Sequence, residues 1–484
     1  MATGLVAIGL ASGRWRLPFH KTRQIDSIAV LPFTNAAGEA NTDYLSDGIT
    51  EALLSNLVRV PGLKVKSRNS VFEYKGKNVD IQKVGKDLGV SGLVSGRVVP
   101  HGDLLEVSAE LIDARDNTEI WSERYSYKSA EIITLQQRIA MDIAQKIRSS
   151  LSVAERLRVT RQGTQNPDAY EAYLKGRYHW NKRTIVDLDR AIAYFNQAIA
   201  ADPGYALAYS GLADCYAILP TYGGNPAETY AKATAAAFRA LELDPSLARP
   251  HAVLGTVEME YDWDFAAGEA EYRKAIELDP DDATAHHWFA QEIGWLGRGE
   301  EALAEVNLAH QLEPTSLMVT TEIGMVDLTA RKFDDAVSVC SKVVSENPGF
   351  AQAYDCLALA YWGKRDYPKV IEEWKAVGQF SRDENFVELA NALEKGYRTG
   401  NWKGALREAI AIRKVQRKRG YMSAYYIGAF YADLGNKDEA FRWLDIAFQE
   451  RDVFLLNLPS DYLLDSLRHD PRFAQLERKM GLPQ

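Results

Sequence analysis

The chain has 484 residues, enough for two or more domains, and 46% of them are hydrophobic, as is usual for a folded protein. Its 57 basic and 66 acidic residues give a formal net charge of −9, which argues against a protein that binds nucleic acid through bulk positive charge. The three cysteines, Cys215, Cys340 and Cys356, form no metal-binding or redox motif. Their positions on predicted helices indicate buried thiols, and the sequence leaves open whether Cys340 and Cys356 form a disulfide.

The first 24 residues combine an uncharged stretch, residues 2–12, with a basic one. The basic residues that follow are Arg14, Arg16, Lys21 and Arg23. The uncharged stretch is shorter than the roughly 20 apolar residues of a membrane-spanning helix, and it lacks the basic start and cleavage site of a signal peptide. Two interpretations of residues 1–24 stay open. They are the remnant of a membrane helix with a basic linker, or a frayed, weakly apolar terminus.

Residues 25–152 predict a small α+β domain. The predicted elements are, in chain order, strand 27–33, helix 45–57, strand 63–66, helix 81–89, strands 92–99, 105–111 and 120–125, and helix 132–147. Strand 105–111 shows strict alternation of apolar and polar residues, which is typical of a half-buried antiparallel strand. The order β-α-β-α-β-β-β-α places the helices against one sheet.

Four segments of this domain carry a family resemblance: 26–33 (DSIAVLPF), 44–51 (YLSDGITE), 72–76 (FEYKG) and 121–125 (WSERY). They resemble the TolB-like amino-terminal domain, which in bacteria is found just before tetratricopeptide repeats. The resemblance implies a place behind a membrane helix, as in certain serine/threonine kinases, class III adenylate cyclases and winged-helix regulators. Segments 176–183 (GRYHWNKR) and 261–264 (YDWD) look most like the kinase-linked members. The departure that we expect from these members is the absence of an effector domain before residues 1–24.

The second half of the chain is repetitive. Prolines lie 42, 35, 34 and 34 residues apart, at Pro203, Pro245, Pro280, Pro314 and Pro348. Twelve residues before each proline stands a small residue that lets two helices cross closely: Ala191, Ala233, Gly268, Ala302 and Ala336. Proline ends a helix because it lacks an N–H and disfavours helix in the residue before it. A period near 34 with these features resembles the tetratricopeptide (TPR) repeat, a helix-turn-helix unit.

We predict about eight repeats over residues 167–452, stacked into an all-α solenoid with a concave face. A polar linker, 153–166, should let the two parts of the chain fold separately, and 453–484 should cap the last repeat. The first two repeats carry about three and about eight extra residues, near Thr184 and near 220–226. Such insertions map to loops on one face of a solenoid.

Motifs for catalysis are missing from the sequence. A kinase needs a Gly-rich loop, His-Arg-Asp and Asp-Phe-Gly, and the nearest match is Asp-Phe-Ala at 264–266. A P-loop, Gly-x-Ser-x-Gly and His-Glu-x-x-His are also absent. We therefore expect a non-enzymatic chain without a cofactor or a metal site. The adjacent His286 and His287 should point to different sides of a helix rather than share a metal ion.

A basic run at 413–419 could contact nucleic acid or acidic lipid through Arg413, Lys414, Arg417, Lys418 and Arg419. Aromatic residues do not interleave with it, as they do in single-strand binders, so a solvated helix face is favoured. We expect no nucleic-acid partner.

A binding groove is expected on the concave face, which the first helix of each unit lines in the TPR family. The family's phase places Asp214, Arg249, His287, Gln291, Trp295, Asp355 and Trp362 toward that face. Exposed tryptophans with mixed polar groups suit a peptide site. The alternative that these tryptophans pack between repeats stays open.

These observations favour a non-enzymatic scaffold or sensory module that binds a protein or peptide in bacterial signalling. The alternative is the detached sensor half of a membrane serine/threonine kinase or adenylate cyclase, and the DNA upstream of Met1 would discriminate the two. The family arrangement implies membrane association through the amino terminus, with the repeats in the periplasm. The basic cluster at 14–23 favours the cytoplasm instead, by the positive-inside rule.

Overall fold

The structure is a computed structural model, and it describes residues 25–36, 42–148, 151–159, 163–314 and 316–482. The predicted membrane-helix remnant and basic linker at 1–24 lie outside the described residues. A helix long and apolar enough to cross a membrane does not occur within these described ranges.

A mixed sheet forms the amino-terminal part. Its strands are β1 (Ser27–Val30), β2 (Thr34–Asn35), β3 (Lys64–Val65), β4 (Gly92–His101), β5 (Leu104–Asp113) and β6 (Thr118–Lys128). The order across the sheet is β3-β1-β4-β5-β6, and β2 pairs with β4. Strand β1 runs parallel to β3 and β4, whereas β4, β5 and β6 form an antiparallel meander.

Helices pack against this sheet. They are α1 (Asp43–Leu57), α2 (Arg68–Phe72), α3 (Ile81–Leu88) and α4 (Ile132–Ile147). Helix α3 begins where the Asp80 carboxylate accepts hydrogen bonds from two backbone N–H groups, and it ends at Gly89 with φ of 64°. The predicted α+β fold is confirmed. The short elements β2 and α2 were not predicted, because two and five residues are too few to show a period.

The predicted all-α solenoid is also confirmed. In the described part of the chain its helices form eight pairs: α6 (Pro167–Trp180) with α7 (Ile185–Ala201), α8 (Ala206–Ile218) with α9 (Pro226–Leu243), α10 (Arg249–Val257) with α11 (Phe265–Leu278), α12 (Ala283–Trp295) with α13 (Gly299–Leu312), α14 (Leu317–Thr329) with α15 (Phe333–Glu346), α16 (Ala351–Gly363) with α17 (Tyr367–Ser381), the two arms of α18 (Glu384–Gln416), and α19 (Tyr425–Asp433) with α20 (Lys437–Glu450). Helix α18 bends at Gly400 and Asn401, whose backbone angles are not helical. Helix α21 (Pro471–Met480) follows the last pair.

The small residues of the repeat period lie where paired helices cross. Ala191 and Ala302 are fully buried. A Cβ added to Gly268 would overlap the side chain of Met259 on the preceding segment, so only glycine fits there. Helices α7, α9, α11, α13 and α15 each end two residues before one of the periodic prolines. The residues that define the period therefore also set the helix spacing and the helix ends.

The predicted linker contains a helix, α5 (Val153–Val159), and Val159 is fully buried. The core of the sheet continues across it into the first repeats, where Leu174 packs on Gly48 of α1. Tyr170 Oη donates a hydrogen bond of 2.6 Å to Gln136 Oε1 of α4. We predicted that residues 25–152 and the repeats fold separately, and that prediction did not include a core shared by the two parts.

All three cysteines are buried. Cys340 on α15 and Cys356 on α16 form a disulfide with an S–S distance of 2.02 Å, which answers the question that the sequence left open. Cys215 is a free thiol.

Candidate functional site

The segment after the last repeat, residues 453–467, folds back across the first helices of the middle repeats. Ser460 Oγ donates a hydrogen bond of 2.9 Å to the backbone carbonyl of Trp295 on α12. Tyr462 Oη donates a hydrogen bond of 2.6 Å to the carbonyl of Leu359 on α16. The segment therefore covers the face that the sequence predicted to be an open groove.

Two further contacts hold the same segment. Arg331, which follows α14, forms a bidentate ion pair with Asp465. Its two N–H···O distances are 2.5 and 2.6 Å. Ser466 Oγ donates a hydrogen bond of 3.0 Å to the carbonyl of Ala432 on α19. Residues 453–467 thus cover the last repeat, as a cap does, and also join it to the repeats in the middle of the solenoid.

A cavity of about 540 Å³ lies beside the start of this segment, where Phe454 contributes to its lining. Its lining residues come from α10, α12, α14 and α16 and from α17, α18 and α19. Both insertions in the repeat period contribute to it, through residues 182–185 and 220–223. Lys182, Thr221 and Gly223 are exposed, so the cavity opens to solvent beside the insertions. Its size is that of a small-ligand site or of a pocket for a few peptide side chains.

Three buried carboxyl groups line the cavity. Glu260 follows α10, Glu292 is on α12 and Glu322 is on α14. Glu260 accepts a hydrogen bond from Tyr230 Oη and shares another with Glu292. Burial raises the pKa of Glu260 to about 7. Burial, with repulsion from Glu260 and Glu322, raises the pKa of Glu292 well above its usual range. Glu260 and Glu292 therefore favour their neutral form more than an exposed glutamate does.

Four polar side-chain atoms in the cavity wall lack a hydrogen-bond partner in the described part of the protein: His287 Nε2, Glu292 Oε2, Thr321 Oγ1 and Tyr421 Oη. His287 Nε2 lies 3.5 Å from Glu322 Oε2, close enough for an ion pair when the imidazole is protonated. A buried polar atom without a partner is costly, so these atoms favour an occupant that can bond to them.

The basic side chains at the rim are engaged elsewhere. Lys182 Nζ lies 4.2 Å from the ring centre of Tyr178, and the Arg183 guanidinium lies 3.8 Å from that of Trp180. Both are cation–π contacts on the amino-terminal repeat. The positive charge of these two residues is therefore directed at rings of their own repeat.

The basic run of α18 joins helices together. Arg413 is buried, and its Nη1 donates to Gln416 Oε1 at 3.0 Å. Burial lowers the pKa of Arg413 to about 10. The next members are paired as well: Lys414 donates to Tyr431 Oη, Arg417 pairs with Glu450, and Arg419 pairs with Glu388. The expected solvated face is thus largely a set of helix-to-helix contacts.

Of the residues predicted to face the groove, the structure places four in the cavity wall: His287, Gln291, Trp295 and Asp355. Trp295 is 7% exposed, so the expectation of an exposed ring is wrong for it. The reason is that the returning segment covers it, with the Phe454 ring 6.3 Å away.

Asp214 and Arg249 lie outside the cavity lining, in a buried charge network. Arg249 forms two hydrogen bonds to Asp282, of 2.8 and 3.0 Å. Asp214 lies 3.5 Å from Arg177 of the preceding repeat. Burial raises the pKa of Asp214 to about 6. These residues connect neighbouring repeats.

Trp362 also lies outside the cavity, and the prediction that it is exposed in the groove is wrong. It is 3% exposed and packs edge-on against Trp374 and Trp402, with ring centres 5.5 and 5.3 Å away. Its Nε1 donates a hydrogen bond of 2.9 Å to Asp433 on α19. The alternative that the sequence left open, packing between repeats, describes this residue.

His286, the neighbour of His287, is buried and bonded within the solenoid. Its Nδ1 lies 2.6 Å from Glu305 and its Nε2 lies 3.1 Å from the carbonyl of Pro280. Within the described ranges, His, Cys, Asp and Glu side chains form no group of three that could hold a metal ion.

Sequence reasoning missed the carboxyl groups of Glu260, Glu292 and Glu322. A signal was present at one of them, since Glu292 stands within the run WFAQEIGW, among residues that must pack inside the solenoid. An acidic residue at such a position is seldom fully buried unless it is paired.

The architecture is an α+β domain followed by a solenoid of helix pairs, which includes TPR repeats. Residues 173–246 match the family model described as "Tetratricopeptide repeat". Residues 23–142 match the model "HilA/YgeH-like transcriptional regulator, second domain". The resemblance of residues 25–152 to the TolB-like domain stays a prediction.

Two curated relatives align with parts of the chain. "Putative adenylate cyclase 3" of Rhizobium meliloti (strain 1021) is 32% identical over 285 residues, 57% of this chain and 41% of the relative. "Transcriptional regulator HilA" of Salmonella typhimurium is 24% identical over 181 residues, 37% of this chain and 32% of the relative. The chain therefore spans less than half the length of these relatives.

Solved structures that resemble the chain include "Human IFIT1 dimer with m7Gppp-AAAA", with a TM-score of 0.43, 16% identity and coverage of 66% of this chain and 76% of that one. Yeast Tom70 has a TM-score of 0.40 and 13% identity, and the match covers 72% and 82% of the two chains. TolB from Acinetobacter baumannii has a TM-score of 0.22 and 18% identity, with coverage of 27% and 30%.

Proposed function

We propose that the chain is a non-catalytic binding module in bacterial signalling, which holds a short segment of a protein partner in the cavity of its TPR solenoid. The observation that carries this proposal is a cavity of about 540 Å³ whose wall contains unpartnered polar atoms, among them Glu292 Oε2 and Thr321 Oγ1. An occupant that bonds to these atoms removes their desolvation cost. TPR repeats generally mediate protein interactions, which favours a peptide over other occupants.

The size of the cavity limits what enters it. An extended peptide advances about 3.3 Å per residue, so the cavity holds a few side chains and not a folded domain. The returning segment 453–467 contacts the middle repeats, and exposed residues of the two insertions, Lys182 and Thr221, lie at the opening. A chain terminus or a loop of the partner suits this geometry.

The experiment is a titration of the purified chain with a library of acetylated, amidated hexapeptides, read by calorimetry. Gln291→Ala changes a half-buried residue of the cavity wall and should weaken binding of the selected peptides at least tenfold. Gln379→Ala, an exposed glutamine of α17 outside the cavity lining, is the matched control. Equal affinity of both variants, or binding by no peptide, would contradict the proposal.

A second candidate is the sensor half of a signalling protein whose effector is an adenylate cyclase or a kinase. The 285-residue similarity to a putative adenylate cyclase favours it, and so does the HilA-type model over residues 23–142. An in-frame cyclase, kinase or winged-helix segment upstream of Met1 would support this candidate over a free-standing scaffold.

We also propose that the chain associates with a membrane through residues 1–24, with its repeats outside the cytoplasm. The arrangement implied by the TolB-like resemblance supports this side, and a disulfide such as Cys340–Cys356 persists in oxidising compartments. Fusions of alkaline phosphatase, which is active only in the periplasm, and of a cytoplasmic reporter to the carboxyl terminus test it. Activity of the cytoplasmic reporter alone would contradict it.

A further inference from the structure

We propose that the occupant of the cavity carries a positively charged amine or guanidinium group, which sits at the carboxyl groups of Glu260, Glu292 and Glu322. Its apolar stem lies against the tryptophans of α12. This inference rests on the proposed function, because it requires the cavity to be the binding site.

The charge of the cavity wall supports a cation. Acidic residues outnumber basic residues (Lys and Arg) in the cavity lining by five to three. The acidic ones are Glu260, Glu292, Glu322, Asp355 and Asp383, and the basic ones are Lys182, Arg183 and Arg413. Lys182 Nζ lies 3.8 Å from Asp187, and Arg183 interacts electrostatically with Asp214; neither aspartate lines the cavity. Arg413 interacts electrostatically with the two aspartates of the wall, Asp355 and Asp383. The Asp355 carboxylate accepts a hydrogen bond of 2.8 Å from Trp374 Nε1. The charge capacity that remains for a ligand is therefore that of the three glutamates.

The three glutamates lack a strong internal countercharge. Basic side chains of the described chain form no ion pair with Glu260 or Glu292, and Glu322 has only the His287 imidazole, 3.5 Å away. Two of the three are almost completely buried, Glu292 at 2% and Glu260 at 3% exposed. Buried carboxyl groups are normally paired, and a bound cation would supply the partner.

Two unpartnered acceptors lie in the same wall. One is Glu292 Oε2, a carboxyl oxygen. The other is Thr321 Oγ1, the hydroxyl oxygen of a residue on the neighbouring helix α14 that is 3% exposed. An ammonium group offers three N–H donors and a guanidinium offers five, so either has enough donors for both acceptors. A neutral apolar ligand would leave both unbonded.

Aromatic rings accompany the acidic group. Trp288, Glu292 and Trp295 are spaced four and three residues apart on α12, so they lie on one face of that helix, and all three line the cavity. Indole rings attract cations through their faces and also pack against methylene groups. A long side chain that ends in a positive charge matches this surface.

The raised pKa values of Glu260 and Glu292 agree with this assignment. Burial raises the pKa of Glu260 and Glu292, so these groups hold protons when no cation is present. An arriving cation favours their ionised form, and binding should therefore release protons to the solvent.

The test compares hexapeptide mixtures that differ at one fixed position, which is Arg, Lys, citrulline or norleucine. Calorimetry should show at least tenfold tighter binding of the Arg or Lys mixture than of the neutral isosteres. Titration in two buffers of different ionisation enthalpy should show proton release. Spermidine and argininamide form a second arm: binding of these small cations alone would identify a free amine as the natural occupant, and binding only of peptides would identify a side chain.

Glu292→Gln keeps the size of the side chain and should abolish the preference for Arg or Lys. Glu346→Gln, at an exposed glutamate of α15, should leave it unchanged. Thr321→Val is a second variant that should weaken cation binding by itself if Glu292→Gln does not fold. Suppose that the arginine and norleucine mixtures bind with equal affinity and that Gln291→Ala loses binding of both. This result would contradict the proposal of a cationic occupant and would still support the proposed binding module. A lack of binding by every mixture would overturn the binding module itself.

Discussion

Ser460 and Trp295 are 165 positions apart in the chain, yet Ser460 Oγ donates a hydrogen bond of 2.9 Å to the Trp295 carbonyl. This contact brings the end of the chain onto the fourth helical pair and closes the face of the solenoid. A binding surface in most TPR solenoids is an extended concave face. In this protein the same face becomes the wall of a cavity.

Ser460→Ala removes the buried donor at this closure. We expect a loss of about 0.5–1.5 kcal/mol in the free energy of unfolding, because the Trp295 carbonyl loses its partner. Urea denaturation measures the loss, and hydrogen exchange should increase within residues 453–467. Ser338→Ala, at an exposed serine of α15, should cost nothing. Identical behaviour of the two variants would mean that the closure contact does not stabilise the fold.

Ala302→Trp tests the repeat phase. Ala302 is fully buried where α12 and α13 cross, so a large ring must force the helices apart, at a cost of about 1–3 kcal/mol. Ala304→Trp, at an exposed position two residues further along α13, is the matched control. Thermal melting should separate the two variants by several degrees. An unchanged melting temperature for Ala302→Trp would show that the assigned crossing is incorrect.

Trp362→Ala tests the role of the aromatic cluster. Because Trp362 packs on Trp374 and Trp402 and bonds to Asp433, its truncation should cost about 3–5 kcal/mol in the free energy of unfolding. Phe238→Ala removes a ring that is 54% exposed and should cost far less. Denaturant titration measures both. A small loss of stability in Trp362→Ala would argue for the binding role that the sequence suggested.

The pH dependence of stability should report the Glu260–Glu292 pair. The pKa of Glu260 is raised from 4.5 when unfolded to about 7 when folded, so the folded state binds more protons between these values. Stability is therefore fully present below pH 4.5 and is lost as the pH rises through 7. The groups that face Glu260 are Tyr230, Tyr272 and Glu292, and Glu322 faces Glu292.

We expect the wild-type protein to lose on the order of 1–3 kcal/mol between pH 5 and pH 8 through this pair. Glu260→Gln cannot ionise, so its stability should fall less over the same range. Urea denaturation at pH 5, 6, 7 and 8 gives both profiles. Parallel profiles for the two proteins would mean that Glu260 titrates as an ordinary surface carboxylate.

Leu174→Ala tests the core that the sheet shares with the repeats. Leu174 of α6 packs on Gly48 of α1, so its truncation should cost about 2–5 kcal/mol and should destabilise the sheet and the first repeat together. Circular dichroism and limited proteolysis should show one coincident transition for both parts. Release of a stable fragment 25–152 by protease would instead support separate folding.

Short-range patterns in the sequence determined the elements and the helix pairs. The prolines at a spacing of 34 end helices by their own geometry, and Ala302 marks a crossing because only a small side chain fits there. The alternation in strand 105–111 likewise follows from the two faces of one sheet. Each of these signals acts over a few residues or between adjacent helices, so the sequence contains it directly.

The cavity was decided by the tertiary structure. Small rotations from one repeat to the next add up along a solenoid, and their sum brought residues 453–467 to α12 and α16. The same accumulated rotation placed Glu260, Glu292 and Glu322 around one cavity. It also directed the Trp362 side chain toward other aromatic rings. A repeat period specifies which helices are neighbours. It does not specify the accumulated rotation, and that rotation decides whether a side chain on a first helix faces a ligand or another helix.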